Sequence, residues 1–300
     1  MNTDPCIVFF HTGAIPGYLR ATLESARYFN PDARIFLLTD HTPSGLDRLQ
    51  VEIRSLAELR NPKGDEFYRR YVHVSANKLE YERNCIGRWF YMERLLQREQ
   101  AARAVYLDSD AMLFHDVREL FAVMPAGPRL FCSHAHGPAV AFIQDSLELF
   151  LDWILAKYND KQFLDEARLR CEKAMQAGGM VNVTDMDFIE MFINNGTGLA
   201  SSYPNDLPIG HIDHCIFGAG DGMMSRPSRR HLARKRVFWR DDGRTFRPNF
   251  RTASDGSLVP ALAIHFQNVA KRLIRRFNRV GEDSPLPRSL RLRYYTWLLN

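Results

Sequence analysis

The fold of this chain is decided by residues 6–40, which read CIVFFHTGAIPGYLRATLESARYFNPDARIFLLTD. Two short apolar runs, Cys6–Phe10 and Arg34–Thr39, are typical of buried strands. Between them, residues 16–28 place apolar side chains at helical spacing, and an Asn-Pro pair then ends the helix because proline lacks the amide donor. Strand, helix and strand in so short a span make a βαβ unit, whose crossover is right-handed and whose strands are parallel.

The rest of the sequence keeps alternating between strand and helix patterns. Residues 45–65 are polar and irregular apart from a short strand at 51–54, and neither a repeat nor a linker divides the chain. We therefore predict an α/β fold with a mostly parallel, Rossmann-like central sheet flanked by helices. It forms one domain of residues 1–280, followed by a basic helical and aromatic tail at 281–300. The further predicted elements are helices at 84–100, 146–158, 163–176 and 183–192, strands at 104–107 and 258–266, and a hairpin at 237–247.

Composition excludes several classes of protein. With 300 residues, 45% of them hydrophobic and 25% charged, the chain can build a folded core, which excludes low-complexity disorder. Its apolar runs are far shorter than the roughly 18 residues of a membrane span. The polar start at residues 1–5 shows no secretory signal, and the five cysteines form no CxxC pair. We therefore expect reduced thiols in a cytoplasmic protein.

Two carboxylates stand one residue apart directly after the predicted strand at 104–107. Asp108 and Asp110 would project from the carboxyl edge of the parallel sheet, where open α/β folds bind their ligands. Hard carboxylate oxygens suit Mg²⁺ or Mn²⁺, ions that also bind phosphate oxygens. The alternative is a pair of aspartates that only forms a turn. Apolar residues flank this segment on both sides, which favours a metal site over a simple chain reversal.

A histidine and a lysine follow the last predicted strand. His265 at the strand end is a candidate third metal ligand, and Lys271, six residues later, is placed to pair with phosphates. The alternatives are a core histidine bonded to the backbone and a lysine on a solvated basic face.

Charge is distributed unevenly along the chain. The net charge is +5, yet residues 226–300 hold 18 basic and 5 acidic side chains, whereas the first 225 residues hold 22 and 30. A basic C-terminal part next to an acidic N-terminal part indicates a polyanionic partner: nucleic acid, phospholipid headgroups, or a phosphorylated or acidic glycan. Arginines alternate with aromatic residues at 226–251, but no recognition motif for nucleic acid is present, which makes nucleic acid the least favoured partner.

The arginines and aromatic residues of the C-terminal stretch suit an anionic membrane surface, such as the inner face of the cytoplasmic membrane. We therefore expect peripheral binding there. The alternative is that the apolar side of a helix at 269–280 packs on the domain while its arginines are solvated.

Taken in order, these motifs resemble those of nucleotide-sugar-dependent glycosyltransferases of the GT-A fold. The matching features are the N-terminal βαβ unit, Arg-Trp-Phe at 88–90, Tyr-Leu-Asp-x-Asp at 106–110 and His-Phe-x-x-x-x-Lys at 265–271. The last pattern is similar to that of the glycogenin and bacterial lipopolysaccharide galactosyltransferase group. Val-Thr-Asp-Met-Asp at 183–187 resembles a central acidic motif of related bacterial transferases.

The resemblance implies a role for each matching residue. Asp108 and Asp110 would hold a divalent ion, Mn²⁺ or Mg²⁺, with His265 as the third ligand. Lys271 would contact the diphosphate of the donor. The implied donor-binding residues are Thr12, Asp40, Arg88, Asp108 and Lys271. Near the transferred sugar, the resemblance implies a catalytic carboxylate, either Asp185 or Asp187.

Two positions depart from this group's pattern. Asn268 stands where a glycine is usual, and Arg272-Leu273 replaces a Pro-Trp pair. The missing Pro-Trp pair argues against close membership of the galactosyltransferase group.

The activity that the resemblance implies is metal-dependent transfer of a sugar from a nucleotide-diphosphate donor, a UDP-sugar first of all. The acceptor would be a glycan or a lipid-linked glycan, as in bacterial surface polysaccharide synthesis. An inverting enzyme also needs a carboxylate base, for which Asp185, Asp187, Asp213 and Asp221 are candidates, whereas a retaining enzyme needs none. The alternatives are a metal-dependent nucleotidyltransferase, which would not need His265, and a nucleotide-sugar-binding module without turnover.

Overall fold

The structure is a computed structural model that describes residues 4–127, 129–132, 138–178, 183–203, 206–218, 222–226, 234–241 and 246–278. Its strands are β1 Cys6–His11, β2 Ile35–Thr39, β3 Val51–Ser55, β4 Arg103–Asp108, β5 Ala111–Leu113, β6 Leu130–Cys132, β7 Val140–Gln144, β8 Ala200–Ser202, β9 Asp206–Leu207, β10 Gly210–Asp213, β11 Ser225–Arg226, β12 Arg234–Lys235, β13 Val237–Asp241, β14 Phe246–Arg251 and β15 Leu258–His265. Its helices are α1 Gly17–Phe29, α2 Pro62–Arg70, α3 Leu79–Glu99, α4 Val117–Val123, α5 Glu148–Asn159, α6 Lys161–Gln176, α7 Asp185–Ile193 and α8 Lys271–Asn278, with 3-10 turns at Asp47–Leu49 and Asn268–Ala270.

A seven-stranded sheet forms the centre of the fold, in the order β3-β2-β1-β4-β7-β6-β8. β1 pairs in parallel with both β2 and β4, and β2 pairs in parallel with β3. β7 is antiparallel to its neighbours β4 and β6, whereas β6 and β8 are again parallel to each other. The predicted α/β class and the mostly parallel central sheet are therefore confirmed.

The central strands are buried on both faces of this sheet. In β1, Ile7 and Phe9 pack into one apolar cluster with residues of α1, while Val8 and Phe10 pack into another with residues of α3. Successive side chains of a strand point to opposite faces, so a strand covered on both sides must be apolar throughout. This explains why β1 and β2 are continuous apolar runs in the sequence.

A second sheet brings the C-terminal part of the described chain to the end of β4. β5 starts just after β4 and pairs antiparallel with β15, so that Ala111 lies opposite His265. β15 also pairs in parallel with β10 and antiparallel with β14. α8 packs against this sheet through Leu273, Ile274 and Phe277, which are all buried. The apolar side of this helix therefore packs on the domain.

Most predicted elements are confirmed, with boundaries that shift by a few residues. The predicted irregular segment 45–65 is wrong for its last residues, because α2 begins at Pro62. The side chain of Asn61 accepts a hydrogen bond from the backbone N–H of Gly64, and a proline suits the first turn of a helix. The short strands β6 and β7 were not predicted, although residues 139–143 form an apolar run of the kind typical of a buried strand.

The tail at 281–300 and Asp221 lie outside the described residues, so the division of the chain at residue 280 stays a prediction. None of the helices in the described ranges combines the length and the apolar character that a membrane span requires.

Candidate active site

The turn at 108–110 is fixed at the border between the two sheets. The backbone N–H of Phe266, at the end of β15, donates a hydrogen bond to the carbonyl of Asp110 at 3.0 Å. The hydroxyl of Thr22 in α1 donates to the carbonyl of Ser109 at 3.1 Å. The chain passes here from the central sheet into the second one, which explains why apolar strands lie on both sides of the turn.

Three side chains converge at this turn. The Nε2 atom of His265 lies 3.2 Å from Oδ1 of Asp110 and 3.8 Å from Oδ2 of Asp108. One ligand atom from each of the three residues lies within 4.8 Å of the others. Asp110 and His265 are buried, and Asp108 is half-buried. The structure thus brings together the three residues that the sequence predicts as metal ligands.

A backbone carbonyl orients the ring of His265. Its Nδ1 atom lies 2.9 Å from the carbonyl oxygen of His214. A carbonyl can only accept, so Nδ1 carries a proton, and Nε2 faces the two carboxylates, where the neutral form of the ring can bind a cation through its lone pair. Burial alone would lower the pKa of His265, but the neighbouring carboxylates of Asp110 and Asp108 raise it above its ordinary value.

This set of donors fits a divalent cation. Two carboxylates and one imidazole supply the oxygen and nitrogen ligands that Mn²⁺ accepts, and Mg²⁺ binds carboxylates. Metal-binding histidines commonly donate their second ring N–H to a carbonyl or carboxylate, as His265 does to His214. Burial alone would raise the pKa of Asp110, but His265 and Lys271 lower it below its ordinary value, so this carboxylate is charged at neutral pH. Asp108, Asp110 and His265 could therefore hold the ion.

Lys271 lies beside the three ligands. Its Nζ atom is 3.1 Å from Oδ2 of Asp110 and 5.4 Å from the centre of the Tyr18 ring. Burial alone would lower the pKa of Lys271, but the charge of Asp110 raises it. The chain reaches Lys271 through Asn268, whose φ of 51° lies in the left-handed region. Asparagine tolerates that region better than most residues. This explains how it can occupy the position at which the similar motif of the galactosyltransferase group has glycine.

Arg88 connects the metal ligands with the central acidic motif. From its buried place in α3, its guanidinium donates to Oδ1 of Asp108 at 2.7 Å and to Oδ2 of Asp185 at 2.5 Å. The indole N–H of Trp89 donates to the same oxygen of Asp185 at 3.2 Å. Burial raises the pKa of Asp185, although Arg88 acts in the opposite direction. The hydroxyl of Tyr106 donates to Oδ1 of Asp108 at 2.5 Å.

These groups share one cleft of about 510 Å³, a volume typical of small-molecule sites. Tyr81 and Met186 also line this cleft, although 61% and 44% of their surface stays exposed. The predicted site residues that line it are Thr12, Arg88, Asp108, Asp110, Asp185, His265 and Lys271.

Two predicted site residues are not among the residues that line the cleft. Asp40 is exposed and accepts a hydrogen bond from the backbone N–H of Gly13 at 2.8 Å. The carboxylate of Asp187 accepts from the backbone N–H of Thr184 at 2.8 Å and closes a capping box at the start of α7. Their implied roles toward the donor stay predictions.

The other candidate bases are placed differently. Asp213 is fully buried against the ammonium group of Lys235 and does not line the cleft, and Asp221 lies outside the described residues.

Sequence reasoning missed Tyr106 and His214 as parts of this site. Tyr106 could have been found, because it stands two residues before Asp108 on a strand and so shares its face. His214 acts through its backbone carbonyl, a group that every residue carries, and no side-chain pattern marks it.

No protein-family model matches the sequence, and a comparison with curated proteins finds no relative. Among solved structures, the glycosyltransferase GlyE of Streptococcus pneumoniae TIGR4 is 15% identical, with 68% of this chain and 46% of that chain covered and a TM-score of 0.36. Mouse xyloside xylosyltransferase 1 is 13% identical, with 67% and 85% covered and a TM-score of 0.43. Galactosyltransferase LgtC is 12% identical, with 98% and 96% covered and a TM-score of 0.45.

This chain thus spans about half the length of GlyE and nearly all of LgtC. All three structures are described as glycosyltransferases. With identities of at most 15% and TM-scores below 0.5, these likenesses decide neither the activity nor the ligands of this chain.

Proposed function

We propose that this chain is a metal-dependent glycosyltransferase. It would move a sugar from a nucleotide-diphosphate donor, a UDP-sugar first of all, to a glycan or lipid-linked acceptor. The observation that carries the proposal is the convergence of Asp108, Asp110 and His265, with Lys271 beside them, in one cleft.

The charges in the cleft suit a donor with a diphosphate group. A histidine that binds a metal through Nε2 is neutral, so with His265 as a ligand the carboxylates of Asp108, Asp110 and Asp185 stand against two permanent cations, Arg88 and Lys271. One excess negative charge then remains. A divalent ion held by Asp108, Asp110 and His265 would reverse this sign and offset the charge that develops on the departing diphosphate. The ammonium of Lys271 is placed to bind a phosphate oxygen of the same leaving group.

Asp185 is our candidate for binding the transferred sugar. Arg88 and Trp89 fix its carboxylate in the cleft, where it can accept hydrogen bonds from sugar hydroxyls. During transfer, the bond between the anomeric carbon and the phosphate oxygen breaks and a bond to the acceptor oxygen forms. The proton of the acceptor hydroxyl passes to a carboxylate in an inverting enzyme, or to the departing diphosphate where no such base acts. The carboxylate of Asp187 accepts a hydrogen bond from the backbone of Thr184 at the start of α7. Its contribution is to hold the start of this helix and thereby to position Asp185.

Tyr81 is our candidate for contact with the acceptor. Its ring lines the cleft and 61% of its surface is exposed, so an apolar sugar face could pack against it.

The placement of His265 favours sugar transfer over the alternative enzyme. A nucleotidyltransferase would use the two carboxylates and would not need a histidine, yet the Nε2 atom of His265 lies 3.2 Å from Asp110. A binding module without turnover would carry the same ligands, so only a kinetic experiment separates it from the enzyme.

The decisive experiment measures release of the nucleoside diphosphate from a panel of nucleotide sugars, with and without Mn²⁺. We expect release from one class of donor, UDP-sugars first, and only with the metal present. Asp65→Asn, which removes a carboxylate of α2 outside the cleft, should leave this release unchanged. Binding of a donor without any release would favour the binding module. Exchange of a nucleoside triphosphate without diphosphate release would favour the nucleotidyltransferase.

A further inference from the structure

Two oppositely charged side chains are buried together behind the proposed metal site. Asp213 ends β10 with no exposed surface, and Lys235 in β12 is only 4% exposed. Their charged groups are in direct contact. Burying two charges costs solvation, and a pair of well-packed apolar residues often stabilises a fold as well or better. Neither residue lines the cleft, so contact with a substrate is not the reason for keeping the pair.

The pair lies next to His265 through the pairing of strands. In the parallel register of β10 with β15, Asp213 lies opposite Ile264. The following residue, His214, therefore stands beside His265, and its carbonyl accepts the Nδ1 hydrogen of the His265 ring at 2.9 Å. This carbonyl decides which nitrogen of the ring carries a proton and where Nε2 points.

Lys235 holds the segment 213–216 at both ends. Its ammonium group contacts the carboxylate of Asp213, and its backbone N–H donates to the carbonyl of Ile216 at 2.9 Å. Ile216 in turn donates its backbone N–H to the carbonyl of His265 at 3.2 Å. The His214 carbonyl thus sits on a segment that one lysine fixes on both sides.

We propose that Asp213 and Lys235 are positioning residues for the metal ligand His265. By fixing the segment 213–216, they keep the His214 carbonyl on Nδ1 and direct Nε2 at Asp108 and Asp110. This inference rests on the proposed metal site. Partners that orient a metal ligand typically contribute 10- to 100-fold in metal affinity, so loss of the pair should weaken metal binding by about that factor.

The test uses the full chain and the double variant Asp213→Leu/Lys235→Met, which replaces both charged side chains by apolar ones of similar shape. Mn²⁺ affinity is measured by electron paramagnetic resonance of the free ion. Long-range ¹⁵N–¹H spectra of the metal-free protein at alkaline pH report the tautomer of His265. We expect a cooperatively folded protein with about 10- to 100-fold weaker Mn²⁺ binding and a His265 ring that no longer holds its proton only on Nδ1.

A second variant, Asp213→Asn/Lys235→Met, also removes both charges with a smaller change at position 213, and it serves if the first double variant fails to fold. The matched control is Glu93→Gln, which neutralises a buried carboxylate of α3 that does not line the cleft and should change neither reading. Wild-type Mn²⁺ affinity and an unchanged Nδ1–H tautomer in the variants would overturn the inference. If the wild type itself binds no Mn²⁺, the proposed function fails, while the tautomer comparison still decides whether the pair positions His265.

Discussion

Asp110 is the residue on which the charges of the site converge, since its two oxygens contact His265 and Lys271 separately. We expect Asp110→Asn to lower diphosphate release on the order of 100-fold or more, because a metal ligand loses its charge. The fold should persist, because the turn is fixed by its backbone. The measurement is turnover over a range of Mn²⁺ concentrations, together with thermal unfolding. Full wild-type activity in excess chelator would contradict this prediction.

Asn268, three residues before Lys271, has a left-handed backbone conformation with φ at 51°. Asn268→Ala should lower the free energy of unfolding by about 1 kcal/mol, because a residue with an ordinary Cβ is strained in the left-handed region. Asn268→Gly should change it by less than about 0.5 kcal/mol. Urea denaturation measures both. Val269→Ala at the exposed neighbouring position is the control. Equal stability of the alanine and glycine variants would show that the left-handed backbone is not under strain.

Residue types that carry chemistry could be predicted from the sequence, whereas backbone groups could not. Asp108, Asp110 and His265 were predicted as ligands from their places at strand ends, and they converge in the structure. The carbonyl of His214 and the ion pair of Lys235 were not predicted. Their roles depend on which strands become neighbours, and that information is not local in the sequence.

At the scale of elements, an ion-pair network joins β2, β3 and the end of α3. Arg34 and Arg54 each bind both Glu52 and Glu99, at distances from 2.6 to 3.0 Å. Burial alone would raise the pKa of Glu99, but the two arginines lower it, and hydrogen bonds from Arg34 lower the pKa of Glu52. A carboxylate with a lowered folded pKa stabilises the protein above its unfolded pKa of about 4.3 and loses that effect as pH falls through the folded value.

We therefore expect Glu99→Gln to lower the free energy of unfolding by about 1 kcal/mol at neutral pH, a value kept small because the network is partly exposed. The difference from wild type should shrink as the pH drops below about 4. Urea denaturation at several pH values gives the comparison. Glu58→Gln, which breaks an exposed pair with Arg98 at 3.4 Å, should cost only a few tenths of a kcal/mol at any pH. A difference for Glu99→Gln that grows in acid would have the wrong sign for this network.

Several elements follow from a clear pattern of their own, whereas α2 has no such pattern. β1, α1 and β2 follow from apolar runs and helical spacing. α2 escaped prediction because, of its nine residues, only Phe67 and Gly64 are buried, so it shows almost no apolar stripe.

At the scale of the whole molecule, the site depends on parts of the chain that are far apart. The cleft takes residues from β1, α3, the turn after β4, the start of α7 and the segment from β15 to α8. No single motif could therefore reveal it. The ordered set of motifs could, because the parallel strands β1 and β4 end at one edge of the central sheet and β5 leads from there to β15.

The positive charge of the molecule is concentrated toward its C-terminal end. α8 buries its apolar side, while Arg272 and Arg275 on the other side are exposed. Beyond it, the sequence adds Arg288, Arg291 and Arg293 before a run rich in aromatic residues. Each basic residue near an anionic surface contributes about 1 kcal/mol of attraction, and aromatic rings suit the headgroup region.

We predict salt-sensitive binding of the full chain to vesicles that contain anionic phospholipid, and loss of that binding after truncation behind Glu282. Losing three arginines corresponds to about 3 kcal/mol, or roughly a 100-fold weaker association. Co-sedimentation with anionic and with neutral vesicles measures the bound fraction. The triple variant Arg288→Gln/Arg291→Gln/Arg293→Gln removes the charges at full chain length, so it distinguishes the effect of charge from that of shortening the chain. Turnover on a soluble acceptor should persist in the truncated protein, because the described residues that line the cleft all precede the cut. Equal sedimentation of the full and truncated chains would show that the basic C-terminal residues face solvent and do not bind a membrane surface.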